Sequence, residues 1–371
     1  MDVNYGRRAP FTLGVEEELQ LVDAESFELT SRYAEVFGEA ARRDERIKPE
    51  LLQSTAEAAT GIARTVDEAI EQARELRRSV RDAAAEEGVL IASAGTHPFS
   101  RYEHQDVTEQ ERYRELIDAM QWVAERELIF GLHVHVGMQS ADQAIHVANA
   151  FRTWLPELLA LAANSPFWHG RETGLASTRS KVFDTFPRSG LPPAFASWEE
   201  YELLVDRGVR TNSFKEYTYI WWDLRPHPTL GTIEIRICDA QTRLGSVAAL
   251  TALVQSLAAV LAERHAGQGA LPTQPVTLIA ENKWRAARYG LDAELVDLEH
   301  DAERPARTAV EALLDLAEPA ARRLGCAPEL ELVRRILDDG NGATEQRAAH
   351  AESGSLLAVA QHLAETTVAG V

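Results

Sequence analysis

Three segments of the sequence alternate residue by residue between apolar and polar side chains, and this period of two constrains the fold more than any other feature. They are FTLGVEEELQLV, FGLHVHVGM and GTIEIRICD, at residues 11–22, 130–138 and 231–239. Successive side chains of a β-strand point to opposite faces, so each segment is predicted to be a strand with one apolar and one polar face. The polar faces carry reactive groups, which are Glu16, Glu18, His133, His135, Glu234 and Arg236.

Two weaker strand signals and a set of helices are predicted between these segments. QSTAEAATGI would add Glu57 to a polar face, and YIWWDLRPHP would place Asp223 and Arg225 together. VLIASAG, at residues 89–95, is typical of a buried strand. Helices are predicted over residues 66–87, 108–126, 141–163, 245–265 and 307–324, the first of them with Thr65 as its N-cap and Gly88 after its last turn.

These patterns predict an α+β fold. Strands of doubly wound sheets are apolar on both faces, whereas strict alternation is typical of an antiparallel sheet with one open face. No linker rich in Gly, Ser or Pro divides the chain. We therefore predict that residues 1–371 form a single domain, and that its part from about residue 292, which is rich in Ala, Glu and Arg, is mostly helical.

The composition excludes several classes of partner. The formal net charge of −20 leaves no basic surface for nucleic acid or for an anionic membrane. The sequence also bears on the cellular location. The two cysteines, Cys238 and Cys326, are too few and too far apart for a disulfide framework. The N-terminal MDVNYGRRAPFTLG lacks the apolar run of a secretory signal. A reducing cytoplasm is the predicted location.

The polar faces point to metal chemistry. Carboxylates on neighbouring strands would repel one another unless a cation lay among them. Oxygen ligands with an imidazole suit Mg²⁺ or Mn²⁺, which also bridge to substrate phosphates. Arg236 would project beside Glu234 and could bind a phosphate or carboxylate with two hydrogen bonds. Solvated surface and cross-strand ion pairs are the alternatives for each motif alone, and His133 with His135 would also suit zinc.

Other motifs are weaker, and none of the common nucleotide or hydrolase signatures occurs. The sequence contains no P-loop, no dinucleotide-binding glycine motif, no HExxH and no GxSxG. STRSKVFDTFPRSGLPP, within residues 171–193, is typical of a loop that covers a substrate, or of an ordinary surface loop. ENKWRAARYG brings Lys283, Arg285 and Arg288 together, as a phosphate-binding patch or as the start of a basic helix.

Taken in order, these motifs resemble one known family. GVEEELQLVD, LLQSTAEAATGI, GLHVHVG, RSKVFDTFPRSGLPP, RPHPTLGTIEIRICD and ENKWRAARYGLDA are similar to segments of the carboxylate–amine ligases, in the type 2 glutamate–cysteine ligase group. The resemblance spans roughly residues 10–350. It implies a fold similar to the catalytic domain of glutamine synthetase, in which a curved, mainly antiparallel sheet forms a funnel-shaped active site with helices on its outside. It also implies ATP, Mg²⁺ or Mn²⁺, and a carboxylate that attacks the γ-phosphate.

The resemblance also suggests roles for individual residues. The implied metal ligands are Glu16, Glu18, Glu57, His133 and Glu234, with His135 beside them. Arg236 and Glu57 are the implied catalytic residues. The implied substrate- and nucleotide-binding residues are Arg225, Lys283, Arg285, Arg288, Arg179 and Ser180.

Glutamate and cysteine are the expected substrates, joined through an acyl phosphate. Three alternatives stay open at this point: the same ligase chemistry with another amine, a metal-dependent hydrolase that uses His133 and His135, and a non-catalytic nucleotide-binding homologue. The partners are expected to be small molecules, and a homodimer is predicted only because dimers are the commonest oligomers.

Overall fold

A seven-stranded sheet lies at the centre of the structure, a computed structural model that describes residues 2–38, 44–267, 269, 271, 274–297 and 299–371. Its strands are β1 (Leu13–Asp23), β2 (Ile47–Pro49), β3 (Thr55–Ala59), β4 (Val89–Ala92), β5 (Gly131–Gly137), β10 (Leu224–His227) and β11 (Thr232–Asp239). The strand order is β10–β11–β5–β1–β3–β2, and β4 pairs with the C-terminal end of β1. Every pairing in this sheet is antiparallel, which confirms the predicted α+β class.

Three two-stranded sheets lie outside the central one. They are formed by β6 (Phe167–Trp168) with β7 (Arg171–Glu172), by β8 (Ser189–Gly190) with β9 (Trp221–Trp222), and by β12 (Glu294–Asp297) with β13 (Ala302–Pro305). The β8–β9 pair is parallel, whereas the other two pairs are antiparallel.

Fourteen α-helices connect or follow the strands in the described part of the chain. They are α1 (Tyr33–Phe37), α2 (Val66–Glu86), α3 (Glu111–Met120), α4 (Trp122–Glu125), α5 (Ala141–Phe151), α6 (Leu155–Ala162), α7 (Thr178–Phe183), α8 (Trp198–Arg210), α9 (Leu244–Ala266), α10 (Val276–Tyr289), α11 (Ala306–Leu324), α12 (Ala327–Asp339), α13 (Gly342–Ser353) and α14 (Leu356–Thr367). Short 3₁₀ turns occur at Tyr102–His104, Arg152–Trp154, Tyr217–Tyr219 and Gly290–Asp292.

The apolar face of the sheet packs against helices, and the main hydrophobic core lies between them. Val15, Val134 and Ile235 of the sheet join one buried cluster with side chains of α5, α6, α9, α11 and α12. Helix α9 is apolar around most of its circumference because α2, α5, α11 and α12 pack against it. By length and composition α9 could cross a membrane, but 83% of its apolar window is buried inside the protein. It is the central helix of the core.

Several predicted elements differ in detail from the structure. The helix predicted over 141–163 is divided by the 3₁₀ turn at Arg152–Trp154, because Pro156 lacks an N–H and cannot continue a helix begun before it. The helix predicted over 108–126 starts at Glu111 and is interrupted at Gln121, which has a φ of 50°. The C-terminal part begins with the β12–β13 hairpin, and its helices start at Ala306.

Candidate active site on the polar face of the sheet

The strand register places the reactive residues directly opposite one another. Glu16 of β1 pairs with His133 of β5, and Glu234 of β11 pairs with His135 of β5. On the other side of β1, Glu18 pairs with Glu57 of β3. Directly opposite residues in antiparallel strands have Cβ atoms about 4.5–5.5 Å apart. One face of four neighbouring strands therefore concentrates carboxylates and imidazoles.

The side chains of this face are in mutual contact. His133 Nδ1 lies 3.2 Å from Glu16 Oε2, and His133 Nε2 lies 3.8 Å from Glu18 Oε1. His135 Nε2 lies 3.3 Å from the other oxygen of Glu16. Glu16, His133 and Glu234 each offer a ligand atom, and these atoms lie within 4.8 Å of one another. The three residues thus converge at the spacing of a metal site.

Two arginines surround the carboxylate of Glu234. Arg225 Nε donates to Glu234 Oε2 at 2.6 Å, and Arg236 donates to the other oxygen. Arg236 Nη1 also lies 3.4 Å from His133 Nδ1. Burial alone would raise the pKa of Glu234, but the guanidinium groups of Arg225 and Arg236 hold that pKa well below its usual range. Glu234 is therefore ionised at every physiological pH.

The two histidines have opposite charge preferences. Burial and the nearby Arg236 lower the pKa of His133, so its imidazole is neutral, as a metal ligand must be. Burial also opposes the charge on His135, but Glu16 and Glu234 raise the pKa of His135 above its usual value. Burial would raise the pKa of Glu16, yet the contacts with His135 and His133 lower it well below normal.

The acidic side of the cluster has less positive charge to balance it. Burial, and then repulsion by Glu16, raise the pKa of Glu57 well above normal, and the charge of Lys48 opposes this shift. Burial and the proximity of Glu18 raise the pKa of Glu50 to about 7. Carboxylates this close are stabilised in their ionised form by a cation among them.

The residues present therefore fit a divalent metal ion. His133 Nε2 is buried and has no hydrogen-bond partner among the described residues. Around it lies a donor set of carboxylate oxygens with one neutral imidazole, which suits Mg²⁺ or Mn²⁺. Zinc sites favour several His or Cys ligands. This face has two histidines, and Nδ1 of one of them, His135, already lies at hydrogen-bond distance from Thr232 Oγ1, at 3.0 Å.

Helix α7 places Arg179 at the edge of this cluster. The helix is capped by Ser177, whose side chain accepts a hydrogen bond from the backbone N–H of Ser180. Arg179 is buried and donates to the backbone carbonyls of Arg236 and Ile237, at 3.2 and 3.3 Å. A Cβ at Gly131 would lie 2.3 Å from Arg179 Nη2 and 3.0 Å from His133 Nε2. Glycine at 131 thus allows the arginine to approach the histidine.

The segment 171–193 is more ordered than a simple covering loop. It contains β7, α7 and β8, and Arg179 and Ser180 are both buried. The hydroxyl of Ser180 donates to the carbonyl of Ser177, at 3.0 Å. The strand predicted through YIWWDLRPHP is interrupted at Asp223. The backbone N–H of Asp223 donates a hydrogen bond to the carbonyl of Gly190, and the carbonyl of Asp223 accepts one from the backbone N–H of Arg236.

The remaining predicted binding residues lie in different surroundings. Lys283 is buried and bridges Asp184 Oδ1 and Asp223 Oδ2, at 2.8 and 2.7 Å. Arg285 donates to Glu281 and, across to the β12–β13 hairpin, to Glu303. Arg288 contacts the carbonyl of Gly174. Within the described part of the chain, neither Arg285 nor Arg288 forms a hydrogen bond or ion pair with the carboxylate cluster.

Two acidic residues of the site region gave no signal in the sequence. Glu50 precedes a bend and Glu127 precedes β5, so neither lies on a predicted alternating strand. Both carboxylate oxygens of Glu127 are buried without a hydrogen-bond partner among the described residues. Burial raises the pKa of Glu127 to about 8, against the opposing effect of Arg179. A charged residue just before a strand usually indicates a solvated end, and only the packing distinguishes this one.

Comparison with known proteins gives this geometry its context. The sequence model described as glutamate-cysteine ligase family 2 (GCS2) matches residues 12–362. The chain belongs to glutamate-cysteine ligase family 2. Membership confirms the resemblance noted in the sequence, and it makes the chain an ATP-dependent enzyme that forms an amide bond.

Relatives from two bacteria align over nearly the whole chain. A Rubrobacter xylanophilus protein, provisionally named glutamate–cysteine ligase 2-1, is 45% identical over 96% of this chain and 95% of its own length. A Solibacter usitatus protein, provisionally named glutamate–cysteine ligase 2, is 40% identical over 98% of this chain and 95% of its own length.

Solved structures share the fold at much lower sequence identity. Glutamate–cysteine ligase from Francisella tularensis, in complex with AMP, has a TM-score of 0.71 at 13% identity and covers 99% of this chain and 90% of its own. A bifunctional glutathione synthetase from Pasteurella multocida has a TM-score of 0.73 at 18% identity, over 97% of this chain and 52% of its own. These likenesses confirm the fold.

Proposed function

We propose that this protein is an ATP- and Mg²⁺-dependent glutamate–cysteine ligase, which joins the γ-carboxyl group of glutamate to the amino group of cysteine. The observation that carries the proposal is the row of carboxylate, imidazole and guanidinium groups on one face of neighbouring strands. Such a row suits the charge changes of phosphoryl transfer. Family membership and the names of the relatives support the choice of substrates.

The metal would be held by the converging ligand atoms of Glu16, His133 and Glu234, with Glu18 and Glu57 on the same face. A divalent ion held by these residues would supply positive charge that offsets the negative charge developing as the phosphoryl group moves. Arg225 contributes indirectly, because its contact with Glu234 keeps that carboxylate ionised and fixed in position.

Arg236 is the residue assigned to the transferring phosphoryl group. Its Nε is buried without a hydrogen-bond partner among the described residues, so part of its fork is available to an oxygen of a ligand. An oxygen of the glutamate γ-carboxylate attacks the γ-phosphorus, which breaks the bond to the β-phosphate oxygen and releases ADP. Arg236 stabilises the equatorial oxygens during this step. Arg179 Nε likewise has no hydrogen-bond partner in the described ranges, and Arg179 is assigned to a substrate carboxylate or phosphate at the edge of the cluster.

The acyl phosphate is then consumed by the amine. The amino nitrogen attacks the acyl carbon, the carbon–oxygen bond to phosphate breaks, and the amine loses a proton. Glu57 is assigned to receive that proton, because its carboxyl group lies on the same face of the sheet, directly opposite Glu18. Inorganic phosphate and γ-glutamylcysteine leave. Lys283, held between Asp184 and Asp223, positions α7 relative to β9 and β10.

The test is product formation from glutamate, ATP and Mg²⁺ with a panel of amines that includes cysteine, ammonia and alkylamines. We expect ADP release that depends on the amine, and a mass equal to that of γ-glutamylcysteine. A preferred amine other than cysteine would keep the ligase and reject this substrate. Cleavage of an amide that needs no ATP and that a zinc chelator abolishes would favour the hydrolase alternative.

Two further properties stay predictions. A cytoplasmic location would appear on cell fractionation as recovery with the soluble fraction, and a homodimer would appear in light scattering as twice the mass of 41.0 kDa.

A further inference from the structure

A second cavity lies on the helical side of the protein and shares no residue with the carboxylate cluster. It has a volume of about 250 Å³ and is enclosed by the turn before α6, by α6 itself, α10, α11 and the β12–β13 hairpin. Leu, Ile and Ala side chains of α10 and α11 form much of its wall. Ligand pockets for drug-sized molecules have roughly 300–1,000 Å³, so this one suits a molecule with only a few heavy atoms.

Glu157 is the reason to regard this cavity as a binding site. It is the only charged residue of α6, a helix of the sequence LPELLALA in which all 8 residues are buried. Its side chain is 7% exposed, and its Oε2 is buried without a hydrogen-bond partner among the described residues. A buried carboxylate with no partner is costly, and native proteins rarely retain one without a reason.

Two other polar atoms of the cavity are in the same condition. Thr153 Oγ1 and Arg304 Nε are both buried, and neither has a hydrogen-bond partner within the described ranges. Arg304 Nε lies 3.7 Å from Asp297 Oδ2, which is beyond hydrogen-bond distance. An acceptor, a donor and a hydroxyl group therefore line one small space and remain unsatisfied together.

The charges of the lining define the kind of molecule that would satisfy them. Glu157, Asp297 and Glu299 are acidic, whereas Arg304 is the single basic residue among the described side chains that line the cavity. Asn282 is already engaged, because its amide exchanges two hydrogen bonds with the backbone of Val296. The excess negative charge, the unpartnered carboxylate and the apolar wall together favour a cation with a short hydrocarbon body.

We propose that this cavity binds a small primary amine, with its ammonium group on Glu157 and its alkyl chain against α10 and α11. Simple alkylamines and zwitterionic amino acids share this ammonium group. Arg304 Nε would receive the carboxylate of an amino acid, so the two sources differ in whether they engage Arg304. The site is separate from the proposed ligase centre and does not depend on that function.

Isothermal titration of the full chain tests the proposal with three probes: n-butylamine, its neutral analogue 1-butanol, and norvaline. The variants are Glu157→Gln and the matched control Glu311→Gln, which alters an exposed glutamate of α11 outside the cavity. Binding of an amine at the polar face of the sheet would contribute the same heat in wild type and in both variants. The difference in heat between the variants therefore reports binding in the cavity alone.

We expect wild type and Glu311→Gln to bind n-butylamine with equal affinity. Glu157→Gln should bind it with an affinity at least about tenfold lower, because a charge-assisted hydrogen bond is lost. 1-Butanol should bind wild type more weakly than n-butylamine does. Norvaline binding that also depends on Glu157 would assign the site to amino acids, and its absence would assign it to simple amines.

Equal n-butylamine binding by wild type and Glu157→Gln would overturn the proposal, as would the absence of binding of every probe, which would leave ordered water as the occupant. Glu157→Gln keeps the shape of the side chain and adds no charge to the buried helix α6, so the variant should fold as wild type does. Circular dichroism and unchanged ligase turnover of this variant verify that the fold and the other centre are intact.

Discussion

A buried ion pair beneath the active face gives the prediction with the largest expected effect on stability. Arg77 of α2 is fully buried and contacts both carboxylate oxygens of Glu17, with Nη2–Oε1 at 2.6 Å and Nε–Oε2 at 3.1 Å. It also donates to the backbone carbonyls of Gln241, Thr242 and Thr367. Glu17 lies between Glu16 and Glu18 on β1, so this pair connects the active strand to distant parts of the chain.

Arg77→Met keeps most of the side-chain volume but removes every one of these hydrogen bonds. It leaves the carboxylate of Glu17 buried and unpaired, which typically costs about 3–5 kcal/mol of the free energy of unfolding. The double variant Arg77→Met/Glu17→Leu removes that charge and should recover about 1–3 kcal/mol of the loss, although the three carbonyls stay without their donor. The two single effects should therefore not be additive.

Equilibrium unfolding in urea, followed by circular dichroism, measures these differences. The neighbouring Arg78 is exposed and has no ion pair in the described part of the chain, so Arg78→Met is the control and should change the free energy of unfolding by less than about 0.5 kcal/mol. A loss below about 1 kcal/mol for Arg77→Met, or a double variant whose loss equals the sum of the two single losses, would refute the reasoning.

Three further predictions concern the site and the dependence on pH. Arg236→Lys should lower kcat roughly ten- to a hundredfold at unchanged circular dichroism, because a point charge cannot replace the bidentate fork, and an unchanged kcat would remove Arg236 from the site. Mg²⁺ should raise the Tm of wild type but not of Glu234→Gln, and equal shifts would argue against Glu234 as a ligand. Burial lowers the pKa of His97 to about 3, and its Nδ1 accepts a hydrogen bond from Ser100 N at 3.0 Å. Because the unfolded chain takes up this proton below a pKa of about 6.5 and the folded chain does not, wild type should lose about 2 kcal/mol more than His97→Gln between pH 7 and pH 5, and parallel stability curves would contradict this.

The sequence allowed the three main strands and their polar face to be predicted because the period of two is a direct consequence of strand geometry. The pairing of Glu16 with His133 could not be predicted, since the register depends on contacts between segments distant in sequence. Glu17 shows the limit of the pattern: it occupies the apolar side of β1, where alternation predicts an apolar residue, and only the structure reveals Arg77 as its partner.

Residues outside regular elements were the hardest to predict. Glu50 and Glu127 follow no period, so their burial arises from tertiary packing alone. The β12–β13 hairpin lies in a stretch rich in Ala, Glu and Arg, a composition typical of helices, and tertiary contacts overrode that local preference. The break before Pro156 was also missed in the helix predicted over 141–163, although a proline cannot continue a helix begun before it.

The central claim is that the polar face activates a carboxylate by phosphorylation, and transfer of an isotope tests it most directly. Glutamate labelled with ¹⁸O in its γ-carboxyl group is incubated with ATP, Mg²⁺ and the preferred amine, and the released phosphate is analysed by mass spectrometry. The acyl-phosphate route predicts that one labelled oxygen reaches the phosphate for each amide formed, because the carbon–oxygen bond of the acyl phosphate breaks. Amide formation with unlabelled phosphate would contradict the proposed mechanism.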